Sequence, residues 1–308
     1  MQFLYFLESI RNEFFDTFFS IVTKLGGQTL MLIICVVTLW CVNKKRGFYL
    51  LATCFTGIII NQFLKIICRV PRPWVKDPNF TIVESARAEA TGYSFPSGHT
   101  QNITVALGAP ARFVKKIIIR IVCLFVIGLV AISRMYLGVH TPWDVLVSLI
   151  IGTILIFGFY PIFERSDEKP LPVYILLSTM SLLAVLLLVF TKLYNFPADV
   201  DPGNLLSATE AGYLTVGCSM GTLLSFYLDR KYIRSKTRHV WWLQLIKIIV
   251  GLLLILLIKE GLKPLFAIIF TDHLLSSAIR YFIMVVFGAA IWPAIITWID
   301  NKISKKEK

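Results

Sequence analysis

The residues best suited to chemistry sit in three short segments. Lys65 is followed by Arg72-Pro73, Pro96-Ser97-Gly98-His99 comes next, and Ser133-Arg134 precedes His140 and Asp144. The set holds two of the four histidines, three cations, and one carboxylate four residues beyond a histidine. Covalent phosphoryl transfer needs such parts: an imidazole that attacks, a second that moves a proton, and cations that neutralise phosphoryl oxygens. Charged groups beside long apolar stretches are costly, so their clustering asks for a functional reason.

Each segment alone also admits a plainer account. In His140-Thr141-Pro142-Trp143-Asp144, Thr141 suits an N-cap and Pro142 the first helical turn. Asp144, one turn on, could reach back to the His140 imidazole, fix its tautomer and leave the other nitrogen free to attack. Equally, it could cap its own helix. Gly98 lets backbone approach an anion closely, the helix expected after it offers free amides, and His99 could protonate a leaving oxygen. An ordinary turn before a helix is the alternative. Lys65, Arg72 and Arg134 could clamp a phosphate, arginine through paired donors and lysine as a point charge. Any one of them could instead snorkel to headgroups, the role expected of Arg69 and Lys76. Snorkelling explains three cations in register with two histidines poorly.

As a set, Lys65-x6-Arg72-Pro73, Pro96-Ser97-Gly98-His99 and Ser133-Arg134-x5-His140-x3-Asp144 resemble the full signature of the type 2 phosphatidic acid phosphatase superfamily, which includes the vanadium haloperoxidases. Order, spacing and residue types all match, over about residues 27–165. The resemblance implies a metal-independent phosphatase, needing no cofactor, on a helical membrane core. It further implies that His140 is the nucleophile forming a phosphohistidine, that Asp144 orients it, and that His99 is the acid for the leaving group and then the base for water. Lys65, Arg72 and Arg134 would bind the phosphate, with Ser97 and the Gly98 amide adding donors. The departure is in size: membrane members commonly have six spans, and this chain continues well beyond the signature.

The elements that must position these residues are membrane helices. The chain is 56% hydrophobic with mean hydropathy +0.74, and apolar runs long enough to cross a bilayer recur along it. The expected fold is all-α, with about nine spans near residues 27–43, 47–68, 98–113, 117–137, 141–163, 171–192, 208–228, 240–258 and 278–298. About six helices form the phosphatase core. The third span is the least regular, with Gly108 and Pro110. Residues 259–276, with Lys263-Pro264 and Asp272-His273, suit a re-entrant or interfacial piece. Residues 1–26 mix Glu8, Arg11, Glu13, Asp16 and Lys24 with phenylalanines at helical spacing, which predicts an amphipathic interfacial helix and not a cleavable signal peptide. The division expected is an interfacial segment at 1–26, the phosphatase core at 27–192, and further spans at 193–308. The last part could shape a lipid groove, stabilise a homodimer or carry a second activity. Within it, Trp241-Trp242 and Trp298 suit interfacial anchors, and Lys247 and Glu260 either snorkel or line a substrate path.

Charge sets the orientation. Loops at 43–46, 112–120, 165–169, 230–238 and 302–308 hold most of the 31 lysines and arginines, whereas 193–208 has two aspartates and no basic residue. The positive-inside rule puts the first set in the cytoplasm, the N-terminus outside and the C-terminus inside. All three motif segments then fall on the extracytoplasmic face of a multi-pass plasma-membrane protein. The net charge of +13 is thus mostly topological, which argues against nucleic-acid binding and suits contact with anionic membrane lipids. The six cysteines lie in or beside apolar runs with no metal-ligand spacing, so neither disulfides nor zinc are expected.

A site at that boundary suits a lipid phosphate, its tail between spans and its headgroup on the cations. Residues 74–95, with Glu84, Arg87, Glu89 and Tyr93, are placed to form a lid or headgroup selector, and Gln101 and Asn102 could face the site. The candidates are phosphatidic acid, phosphatidylglycerol phosphate, sphingoid-base phosphates and polyprenyl diphosphates such as undecaprenyl diphosphate. Short loops and a compact form suggest a bacterial chain, which favours undecaprenyl diphosphate and phosphatidylglycerol phosphate. A phosphotransferase with a lipid or sugar acceptor, and a flippase that binds the lipid phosphate uncleaved, use the same residues.

Overall fold

A computed structural model describes residues 1–269 and 273–306. Among them every regular element is helical. In chain order these are α1 (Gln2–Ser9), α2 (Glu13–Thr23), α3 (Gln28–Val37), α4 (Lys44–Cys68), α5 (Pro73–Lys76), α6 (Gly98–Ala111), α7 (Ile117–Tyr136), α8 (Pro142–Glu164), α9 (Leu171–Leu193), α10 (Pro202–Leu228), α11 (Trp241–Ile269), α12 (His273–Val286) and α13 (Trp292–Lys306). Seven described helical stretches are long and apolar enough to cross a bilayer, and the pair Glu13–Gly26 and Gln28–Val42, bent by 45°, forms either an eighth, broken span or a re-entrant loop. The chain is an integral membrane helical protein.

The spans differ from the sequence expectation in two places. The apolar run at 98–113 forms α6, only 14 residues, or about 21 Å against a hydrocarbon core of about 30 Å. Its apolar side chains Ile103, Val105, Ala106 and Ala109 are buried against protein, so hydropathy there reports a core and not a lipid face. The run at 27–43 is the second arm of the bent pair, whose first arm lies in the expected interfacial segment. Residues 259–269 continue α11 through Pro264. Residues 270–272, including Asp272 of the expected re-entrant piece, lie outside the described residues, as do Glu307 and Lys308 at the end of the terminal basic run.

The chain divides into two compact units. Unit 1 comprises residues 1–31, 56–158 and 190–209 and contains every signature residue. Its N-terminal segment is two helices, broken near Ile10, with Asn12 capping α2 by accepting from the Phe15 amide at 3.0 Å. Leu4 and Leu7 of α1 are buried with Phe80, Ala131, Met135 and Val145, and Val22 of α2 with Ile103, Ile127 and Val130. Polar groups tie the same segment to the 74–95 loop. Arg11 donates to the Thr81 carbonyl (3.1 Å) and the Tyr136 carbonyl (3.0 Å), Glu8 accepts from the Thr81 amide (2.9 Å), and Tyr5 donates to Asp77 (2.8 Å). Gly138, at φ +81°, admits Arg11 and the Thr81 carbonyl where a Cβ would sit, 2.8 and 2.9 Å away.

Unit 2 comprises residues 32–55, 159–189 and 210–308. Lys247 neither snorkels nor lines a path there. It is fully buried, donating to the carbonyls of Trp40 (2.8 Å) and Lys236 (3.0 Å) and lying 3.3 Å from His239 Nε2. Its ammonium thus donates to main-chain carbonyls near helix ends. Trp40 and Trp292 donate to the carbonyls of Gly288 and Lys247 at 2.6 and 2.8 Å. The exposed Glu260 pairs with Lys259 at 3.3 Å, and Trp241 and Trp298 are exposed, as anchors would be.

Candidate active site

The helix ends of unit 1 bring the three segments together. Lys65 lies in the last turn of α4, Arg72 caps α5, Ser97 caps α6, Arg134 ends α7, and His140 and Asp144 bracket the start of α8. Lys65, Arg72, Ser97, Arg134, His140 and Asp144 are all buried. So many buried charges in one place persist only with designed partners.

Asp144 is placed for both roles that its segment allowed. Its Oδ2 accepts from the Thr141 amide at 2.7 Å while the Thr141 hydroxyl accepts from the Asp144 amide at 3.3 Å, a reciprocal cap on α8. The same Oδ2 lies 3.5 Å from His140 Nδ1 and accepts from Ser94 Oγ at 2.6 Å. Ser94 Oγ is itself 3.5 Å from Nδ1, so a hydroxyl and a carboxylate flank that nitrogen. On the other side, His140 Nε2 is 3.1 Å from Arg72 Nη1. A guanidinium can only donate, so Nε2 accepts and the ring proton belongs on Nδ1, facing Asp144. Burial, reinforced by Arg72, Arg134 and Lys65, pushes His140 well below the usual imidazole range. The site therefore holds a neutral imidazole with its Nε2 lone pair among cations.

Those cations hold the 91–93 loop through its backbone. Lys65 Nζ donates to the Tyr93 carbonyl. Arg72 donates to the carbonyls of Thr91 (2.7 Å), Gly92 (3.2 Å) and Val139 (2.9 Å). Gly92, at φ +69°, lets three successive carbonyls turn toward them. Trp74 has the Arg72 and Arg87 guanidiniums 5.8 and 5.6 Å from its ring, and Arg87 is bound at 2.7 Å by both carboxylate oxygens of Glu84. Arg134 donates to Thr23 Oγ1 at 2.5 Å, and its buried Nε has no partner among the described residues. Its own carbonyl accepts the amides of Val139 and His140, at 3.1 and 3.2 Å, which fixes the backbone that carries His140.

Ser97 Oγ caps α6, accepting from the Thr100 amide (3.4 Å) and hydroxyl (2.9 Å), so its own proton remains available to donate. Gly98 opens the helix with a first-turn amide to offer. His99 Nε2 lies 3.3 Å from Glu89 Oε2. Gln101 and Asn102 face away from this chemistry. Gln101 donates to the Gly57 carbonyl at 2.6 Å and accepts from Asn61 at 3.0 Å, and Asn102 donates to the Gly26 carbonyl at 3.2 Å.

Ser94, Thr23, Gly92 and the carbonyls of residues 91–93 are the members that sequence reasoning misses. Gly92 carries a weak signal as a glycine in a polar loop. Ser94 stands beside a recognised segment without a partner to suggest its role. Thr23 lies over a hundred residues from Arg134, and no spacing rule connects them.

Comparison with known proteins gives the family of the stretch that carries these residues. The PAP2 superfamily model matches residues 46–168, and a model described as PAP2 superfamily phosphatase, transmembrane extension, matches residues 213–305. The chain is 27% identical over 243 residues to the probable sphingosine-1-phosphate phosphatase of Dictyostelium discoideum, covering 73% of this chain and 57% of that protein. It is 24% identical to mouse sphingosine-1-phosphate phosphatase 2, covering 83% of this chain and 75% of the relative. It is 30% identical over 154 residues to the undecaprenyl-diphosphatase BcrC of Bacillus subtilis, covering 49% of this chain and 77% of that protein. No solved structure matches the chain significantly. The chain spans little more than half the length of the Dictyostelium relative, but the full signature segment and the extension that follows it are both matched, and it belongs to the PAP2 superfamily.

Proposed function

We propose that the chain is a metal-independent phosphatase that removes the terminal phosphate of a lipid monophosphate or diphosphate on the extracytoplasmic face of the plasma membrane. The observation that carries the reading is the His140 ring, with Nδ1 facing Asp144 and Nε2 facing Arg72. The relatives are named for phosphatases of sphingosine-1-phosphate, undecaprenyl diphosphate and phosphatidylglycerophosphate, which supports a lipid-linked phosphate as the substrate class.

In this mechanism the phosphate lies among Lys65, Arg72, Arg134, the Ser97 hydroxyl and the Gly98 amide, displacing part of the carbonyl contacts that Lys65 and Arg72 make. The Nε2 lone pair of His140 attacks phosphorus, and the bond from phosphorus to the lipid oxygen breaks. His99, entering the step as the imidazolium, gives its Nε2 proton to that oxygen. Neutral His99 then takes a proton from water, whose oxygen attacks phosphorus and breaks the phosphorus–nitrogen bond, releasing inorganic phosphate and returning His140 as the neutral ring and His99 as the imidazolium. Asp144 balances the positive ring of the phosphohistidine, and the three cations neutralise the equatorial oxygens.

Glu89 is the carboxylate facing His99 Nε2 at 3.3 Å, placed to favour the imidazolium that must donate, against the burial and the Arg134, Arg72 and Lys65 cations that push the His99 pKa down to about 3. Glu89→Gln is expected to lower kcat/KM for alkyl phosphates by about tenfold while leaving p-nitrophenyl phosphate, whose leaving group needs no acid, nearly unchanged. Equal losses on both substrates would reduce Glu89 to a structural residue. Phosphate release in excess chelator tests the metal-free claim: unchanged rates are expected, and loss restored by magnesium would overturn it.

A further inference from the structure

We propose that Thr23, in the N-terminal segment outside both family-matched stretches, is a positioning residue for phosphate binding. Thr23 holds the Arg134 guanidinium so that the edge carrying Nε faces the bound phosphate, a role that rests on the phosphatase reading above.

Three observations carry it. Arg134 Nη1 donates to Thr23 Oγ1 at 2.5 Å, and both residues are buried, 1% and 3% exposed. A charge-assisted hydrogen bond between two groups removed from water fixes the long arginine side chain in a single geometry. Second, Arg134 Nε is buried with no partner among the described residues. A buried guanidinium donor left unpaired is costly, and a phosphoryl oxygen is the acceptor that would complete it. Third, Thr23 is itself anchored. Its segment ends at Gly26, where an added Cβ would come within 2.8 Å of the His99 carbonyl, and the Gly26 carbonyl accepts from Asn102 of α6 at 3.2 Å. Val22, its neighbour, packs with Ile103, Ile127 and Val130 of α6 and α7. The segment therefore couples the histidine that starts α6 to the arginine that ends α7. A phosphate clamp built from α4, α5 and α7 alone would leave Arg134 free to choose among rotamers.

Orthovanadate, a mimic of the pentacoordinate phosphoryl group, is the probe. Its affinity for the full-length protein in detergent is measured by calorimetry for wild type, Thr23→Val, Thr23→Ser, Arg134→Ala and the Thr23→Val/Arg134→Ala double variant. Thr23→Val keeps the shape and removes the hydroxyl, and is expected to weaken vanadate by about tenfold. Thr23→Ser restores the hydroxyl and should bind like wild type. Thr23→Ala carries the same expectation as Thr23→Val should valine prevent folding. Because Thr23 acts through Arg134, the double variant should bind no worse than Arg134→Ala alone. A Thr23→Val protein that binds vanadate like wild type, or a double variant weaker than Arg134→Ala, would overturn the inference and leave the phosphatase reading standing. Wild type that binds no vanadate would remove that reading, and this inference with it.

Discussion

Replacing His140 with alanine is expected to lower phosphate release by about 10⁴-fold or more. His140 is 2% exposed, and its Nε2 points at Arg72 and away from the Nδ1 side that Asp144 and Ser94 flank. Among the described residues of the site no second group is placed to replace that lone pair, since His99 is committed to Glu89 and to proton transfer. What survives in the variant is a phosphate-binding pocket, so vanadate affinity should fall far less than turnover. The covalent step adds a direct readout. Brief exposure to substrate with a labelled phosphate, followed by an alkaline quench, should leave label on the wild-type protein and none on His140→Ala, because phosphohistidine survives alkali. Label of equal strength on both would place the covalent chemistry elsewhere.

The second large effect is expected of Asp144→Asn, with turnover lowered by about a thousandfold and KM changed little. Oδ2 of Asp144 accepts from Ser94 at 2.6 Å and from the Thr141 amide at 2.7 Å while facing the Nδ1 proton of His140 at 3.5 Å. An amide keeps one acceptor oxygen and can still cap α8 through it. It has no charge to balance the ring once Nε2 carries a phosphoryl group, and its NH2 competes as a donor toward Nδ1 and Ser94. The cap and the catalytic role therefore separate in this variant: the fold and substrate binding persist while turnover is lost. Turnover within a few-fold of wild type would mean that Asp144 serves α8 and not His140.

Much of this is legible in the sequence because short-range spacing encodes it. His140 and Asp144 are one helical turn apart, and Thr141-Pro142 marks where that turn begins. Gly98 and the apolar run after it announce the start of α6. The apolar runs announce α7, α8 and α9 to within a residue or two. The errors arise where a linear pattern has two physical causes. The run at 98–113 is apolar because it is wrapped by protein, and hydropathy does not distinguish that from lipid. Lys247 reads as a charge at a helix end, whereas its partners are main-chain carbonyls of Trp40 and Lys236, and every residue has a carbonyl. The same blindness hides the way Lys65 and Arg72 hold residues 91–93. The N-terminal segment reads as interfacial from its amphipathic spacing, and that spacing gives no hint that Arg11 and Thr23 reach the 74–95 loop and Arg134. Long-range pairing is where the fold adds most to the motif.

Cleavage of lipid phosphates by this constellation is tested most directly by inorganic phosphate release from the detergent-purified full-length protein. The panel should include phosphatidic acid, sphingosine-1-phosphate, phosphatidylglycerol phosphate and undecaprenyl diphosphate, with chelator present and His140→Ala in parallel. Sustained release from at least one of these lipids is expected, unaffected by the chelator and absent in the variant. No release from any of them by folded, vanadate-binding wild-type protein would contradict it, and would leave the site as one that binds a lipid phosphate without hydrolysing it.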